Sequence, residues 1–123
     1  MIAIDTSSFR RWAEGQTGRD VDQVAAAIDG GEGALPPAVV TESLSKAVLP
    51  EAFVHIIATL PVVPLRYGYW FRAGELRADA MRRGFKAKLA DVLIAQACID
   101  RNLFLITYDA DFRHFTRAGL KLA

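Results

Sequence analysis

Four carboxylates in this chain, Asp5, Glu42, Asp91 and Asp109, lie far apart in sequence, yet three of them occupy similar local contexts. Asp5 ends the apolar run Met1-Ile2-Ala3-Ile4, and Asp109 follows the apolar run Leu103 to Tyr108. Asp91 leads into Val92-Leu93-Ile94-Ala95, and Glu42 lies shortly after Leu35-Pro36-Pro37. Acids at the carboxyl ends of strands and in the first turns of helices converge at one edge of a parallel sheet, where ligand sites of α/β folds lie. Converged carboxylates repel one another, and a hard divalent cation relieves that repulsion. The chemistry that follows is metal-assisted phosphodiester cleavage.

Each acid also has an ordinary reading. Asp5 with Thr6 and Ser7 is a competent helix cap. Glu42 reads as a solvated helix residue, and Asp91 as a complement to a helix dipole. Thr107-Tyr108-Asp109-Ala110-Asp111 reads as a capped turn, and its second acid, Asp111, could share the fourth position. Asp91 is, however, the only acid between Asp79 and Asp100, and it opens the most apolar helical stretch. A lone acid beside a buried helix needs a partner.

The elements that must position these residues follow from periodicity and punctuation. Residues 2–4 read as a first strand. Thr6 to Ser8 open a helix that runs to Gly15, and Asp20 caps a second, with Val21, Val24, Ala25 and Ile28 at helical spacing. A short second strand over 34–36 leads into a helix from Ala38 to Val48, with Val40, Leu44, Ala47 and Val48 on one side. Pro50 opens a helix over 51–59. Residues 61–65 read as a third strand, at an edge because of its prolines. Helices follow over 67–83 and 90–101, then a fourth strand over 103–107 and a fifth over 120–122. Strands alternating with helices predict an α/β fold with a parallel sheet flanked by helices. The 123 residues make one domain, 1–123, large enough for a single core.

Composition excludes several classes. With 52% hydrophobic residues the chain is not disordered, and a net charge of +1 excludes a broadly cationic coat. Charge is nonetheless uneven. Arg66, Arg72, Arg77, Arg82, Arg83, Lys86 and Lys88 stand against Glu75 and Asp79, a local +5 that leaves −4 elsewhere. Such a stretch attracts phosphate or solvates a helix face. One cysteine, Cys98, allows no internal disulfide and reads as core. With no membrane-length apolar run and no leader pattern, a cytoplasmic location is expected. His55 and His114 lack zinc spacing, no serine-hydrolase elbow is present, and Gly30 to Gly33 follows a helix rather than a strand.

Four segments in order resemble the PIN-domain family, and within it the small VapC-type ribonuclease toxins of toxin–antitoxin pairs. They are Ile2 to Ser7, Leu35 to Glu42, Leu89 to Ala95 and Leu105 to Phe112. Val92 departs from the family's smaller residue after the third acid. The resemblance implies a central sheet of order 3-2-1-4-5 and RNA cleavage dependent on Mg²⁺, with Mn²⁺ able to substitute. Asp5, Glu42, Asp91 and Asp109 would be its catalytic residues and metal ligands. It also implies a homodimer and a cognate antitoxin that blocks the site. On this reading Thr6 and Thr107 orient the acids, Arg10, Arg83 and Lys86 contact phosphate, and an apolar groove near Phe9, Trp12 and Leu44 receives the antitoxin. A PIN-like module that binds RNA or protein without cutting is the alternative. An unrelated phosphotransfer domain is disfavoured by Ser7, which stands where a second acid would be needed.

Overall fold

The first strand is short and mostly interior: Ala3 and Ile4 have no exposed surface, and Asp5 follows at once. In the computed structural model, which describes residues 1–123, four parallel strands lie in the order β2-β1-β3-β4. They are β1 (Ile2–Ile4), β2 (Gly33–Ala34), β3 (Phe104–Ile106) and β4 (Lys121–Leu122). Six α-helices connect them: α1 (Thr6–Ala13), α2 (Arg19–Asp29), α3 (Pro37–Leu44), α4 (Glu51–Thr59), α5 (Tyr69–Arg82) and α6 (Leu89–Arg101). A 3₁₀ helix covers Ala110–Ala118. Apolar β1 and β3 need cover on both faces, as parallel strands do. Helix α2 packs on β2 and β3, while α6 packs on β3 with α3, α5 and the 3₁₀ helix around it. Ile4, Phe9, Leu35, Ile94, Leu105, Ile106 and Phe112 are fully enclosed at the centre.

The expected third strand shrinks to one bridge, Val62 beside Leu35, running parallel. The Leu35 amide donates to Pro61 O and the Val63 amide to Leu35 O, both at 2.9 Å. Pro64 has no N–H with which to extend the ladder. With this bridge counted, the strands follow the expected 3-2-1-4-5.

Two expectations about helices need correction. The helix expected over 38–48 ends at Leu44: the Ser45 hydroxyl donates to Thr41 O at 2.5 Å, satisfying a carbonyl that a further turn would have used. Ala47 and Val48 are therefore exposed rather than aligned on a helix face. Asp20 is not the cap of α2, since Gly18 holds that position. Asp20 instead turns inward, pairs with Arg11 at 3.0 Å and accepts the Ser8 hydroxyl at 2.8 Å, fastening α2 to α1.

Helix α6 fixes the site from below. Val92, Ile94, Ala95, Gln96, Ala97 and Cys98 are buried, which anchors the helix in the core just after Asp91. Asn102 ends it in the left-handed conformation (φ 55°), which asparagine tolerates, and the chain turns directly into β3. No helix is long and apolar enough to cross a membrane.

Candidate functional site

The four acids arrive from four elements. Asp5 occupies the N-cap position of α1 at the end of β1, Glu42 lies in α3 after β2, Asp91 is in the first turn of α6, and Asp109 precedes the 3₁₀ helix after β3. Asp5 is buried, and the other three are partly exposed. Although Asp5 sits at the cap, its side chain makes no capping hydrogen bond. It turns instead toward hydroxyls.

Those hydroxyls tie the elements together. Ser7 Oγ and Thr107 Oγ1 both donate to Asp5 Oδ2, at 2.6 and 2.8 Å. Thr6 Oγ1 donates to Glu42 Oε1 at 2.6 Å. Thr107 Oγ1 also accepts the Asp109 amide at 3.0 Å, and Asp109 Oδ1 accepts the Asp111 amide at 2.9 Å. Both side-chain hydrogen bonds to Asp5 therefore fall on Oδ2, which leaves Oδ1 without a side-chain donor. Ser7, read in the sequence as cap chemistry and not as a partner of Asp5, is thus one of two hydroxyls setting the Asp5 rotamer. Its position two residues after an acid was the available signal.

The acids sense one another. Burial first, then Asp5 and Asp109, push the Asp91 carboxyl up to about 6; Lys88 opposes the rise and Glu42 adds to it. Burial also raises Asp5, outweighing the Ser7 and Thr107 hydroxyls and the nearby amides of Thr6 and Ser7. None of the four acids belongs to an ion pair. Lys88 is the one cation that offsets the repulsion at Asp91, and sequence reading did not single it out. Burial, and secondarily Asp5, lift the Cys98 thiol to about 12, so it is an inert core group.

This donor set suits a hard cation: all oxygen, carboxylate-rich, mutually repelling and exposed on one side. As the side chains lie, no three Asp, Glu, His or Cys groups close on a common metal position. Mg²⁺ does not demand such a cage, since it keeps several waters and takes only one or two carboxylates directly. Asp111 is exposed, and its side chain makes no hydrogen bond in the network.

The proposed phosphate contacts separate. Lys86 is exposed and unpaired, whereas Arg83 is tied to Asp79 at 3.1 Å and to His114 O at 3.0 Å. Arg10 lines an apolar groove of about 470 Å³ with Trp12, Val48, Pro50, Phe53 and Ile56. The groove expected near Trp12 is therefore present, but Phe9 is interior, stacked on Trp12 and tilted against Phe53, and Leu44 does not line it.

Comparison with known proteins bears on this arrangement. No curated protein matches the chain by sequence. Among solved structures, a chain of VapBC2 from Rickettsia felis, bound to a DNA fragment from their promoter, superposes with a TM-score of 0.76 at 21% identity. The match covers 100% of this chain and 98% of that one. DNA-bound VapBC from Salmonella typhimurium gives 0.72 at 19% identity, over 100% and 98% of the two chains. FitAcB from Neisseria gonorrhoeae gives 0.69 at 18%, over 99% and 96%. These likenesses establish the fold. The PIN domain family model matches residues 2–118, and the chain belongs to that family.

Proposed function

We propose that the protein is a metal-dependent endoribonuclease and the toxin of a toxin–antitoxin pair. The observation that carries this reading is the gathering of four unpaired acids from four elements at one sheet edge, with Asp91 raised to about 6 by burial and by its acidic neighbours. A purely structural cluster of this kind destabilises the fold without return. PIN-family membership, and a fold shared with the VapBC structures, support the same reading.

Asp5, Glu42, Asp91 and Asp109 would hold Mg²⁺, or Mn²⁺ in its place. Bound there, the ion supplies activation of water and stabilisation of charge on the phosphoryl oxygens. The chain's own residues do the rest. Thr107 and Ser7 fix Asp5 through Oδ2, and Thr6 fixes Glu42. Such supporting bonds orient carboxylates and tune their basicity. Asp91, raised to about 6 by burial and its acidic neighbours, would give up its proton as the cation binds. Lys86 and Lys88, exposed beyond the α5 terminus, meet the RNA backbone.

Two surfaces support the partners in this reading. The Trp12–Phe53–Ile56 groove suits an apolar segment of an antitoxin. Helix α5 is apolar on two sides: Tyr69, Ala73, Leu76 and Ala80 face the core, while Trp70, Phe71, Gly74 and Met81 face solvent, as a homodimer contact would.

The test is incubation of purified, antitoxin-free protein with total RNA, with Mn²⁺ or with EDTA, beside Asp5→Asn. Discrete fragments that require both the metal and Asp5 are expected. In parallel, millimolar Mn²⁺ is expected to raise the melting temperature by several degrees. Intact RNA in every lane from protein that melts higher with Mn²⁺ would instead mark a binding module.

A further inference from the structure

Beside the acids lies a second cavity, of about 420 Å³, between the start of α2 and the end of β3. Arg11, Arg19, Asp20, Gln23, Thr107 and Tyr108 line it, and most of its wall is polar. It shares Thr107 with the acid network, where that hydroxyl donates to Asp5.

Tyr108 is its most unusual wall. It is 64% exposed. Its root is fixed from the site side, where the Tyr108 amide reaches Ser7 Oγ at 3.4 Å. One face is braced by the Arg11 guanidinium, 4.0 Å from the ring centroid. Arg11 is itself immobilised by Asp20, Gln16 Oε1 (2.8 Å) and Thr17 O (2.9 Å). A buttressed, largely bare aromatic ring is a stacking platform.

The other groups divide into used and unused. Asp20 is committed to Arg11 and Ser8, so its charge does not repel an anion. The Gln23 amide and the Arg19 guanidinium make no side-chain hydrogen bond or ion pair within the chain. An amide offers a donor and an acceptor for a base edge, and a guanidinium suits phosphate. The mostly polar wall disfavours an apolar protein helix, which the Trp12 groove would take instead.

We propose that this cavity holds one nucleoside of single-stranded RNA, adjacent to the phosphate at the acids. The base stacks on Tyr108, Gln23 reads its edge and Arg19 meets its backbone. The assignment rests on the nuclease reading for its substrate and adds to it the residue that selects the base beside the cut.

The test uses fluorescent octamers of A, C, G and U, as RNA and as DNA, titrated with the protein in EDTA, alongside mapping of fragment ends from total RNA cut with Mn²⁺. One RNA octamer is expected to bind best. Tyr108→Ala should weaken it about tenfold, whereas Tyr108→Phe, which keeps the ring, should stay within about twofold of wild type. Gln23→Ala should level the preference among octamers and change the base found next to the cut, which a merely structural defect would not do. Unchanged binding and unchanged cut sites in both Tyr108→Ala and Gln23→Ala, or no octamer binding by the wild type, overturn the proposal. Equal binding of the DNA octamers overturns its RNA assignment. If the wild type cuts and the variants leave the cut base unaltered, the nuclease stands and the cavity assignment falls. If binding depends on Tyr108 but no RNA is cut, the cavity assignment stands and the nuclease falls.

Discussion

Asp91 and Asp20 both lie in the first turn of a helix, yet the protein treats them in opposite ways. Asp20 is opposed by burial, but Arg11 and Ser8 outweigh that and hold its carboxyl below the usual range. Asp100 is handled like Asp20: burial raises it, while Arg72 at 2.7 Å and Gln96 at 2.8 Å bring it down. Asp91 receives no arginine, only like charges and Lys88, and rises. The same residue type in the first turn of a helix is therefore a fastener in one place and an unrelieved charge in the other. Arginines within reach of structural acids, and absent from the four at the sheet edge, separate the two roles.

The strongest way to break this comparison is Asp91→Asn. RNA cleavage is expected to fall at least about a hundredfold, since supporting partners of ligands alone cost 10–100-fold. The metal-free variant should at the same time melt a few degrees higher at pH 7, because a repelled charge has gone. Circular dichroism melts beside a cleavage assay decide it, and a variant that melts lower would make Asp91 a dipole-capping residue. Asp20→Ala should do the reverse to the fold, destabilising it by about 2–3 kcal/mol in urea titration, because Arg11 and Ser8 lose a largely buried partner.

The two classes also predict opposite pH responses. Asp91 binds its proton more tightly folded than unfolded, so its contribution to stability is full below about pH 4 and is lost as pH rises through about 6. Discounted for its half-exposed position, that loss is about 1–2 kcal/mol. Asp20 and Asp100 have lowered values, so their contribution is present above the ordinary carboxylate range and lost as pH falls below it. Metal-free protein should therefore be most stable between these limbs, and Asp91→Asn should reduce only the upper one, leaving the share of Asp5, which burial also raises. The smallest effect is expected for Thr107→Val, which frees Asp5 from one of its two hydroxyls: about a tenfold loss of cleavage, with Asp5 still folded in place. Cleavage unchanged in that variant would show that Ser7 alone sets the rotamer.

Much of the site was legible because its signals are local. An apolar triplet that ends in Asp5, a Pro-Pro start before Glu42, an acid opening an apolar helix and a strand that ends before Asp109 each report a strand end or first turn without tertiary information. The sheet order followed from resemblance, and the shrinking of the third strand could have been read from Pro61 and Pro64. What the sequence could not show were pairings across elements. Arg11 and Asp20 are nine residues apart and meet only because α1 and α2 fold together. Lys88 near Asp91 looked like one more charge in a basic stretch. Phe9 looked like groove and is core, because only the packing of α4 shows that Phe53 covers it. The early stop of α3 rests on a single serine hydroxyl, which competes with the helix in a way that periodicity does not register.

The lone bridge at Val62 has a consequence for how chains meet. Pro61 and Pro64 carry no N–H, and the Val63 amide is turned inward to Leu35. An incoming strand would find a single outward amide, that of Val62, between two prolines. This border of the sheet cannot template a further strand, so crowding should not drive edge-to-edge pairing there, and a protein that docks against it must do so through side chains rather than by lengthening the sheet.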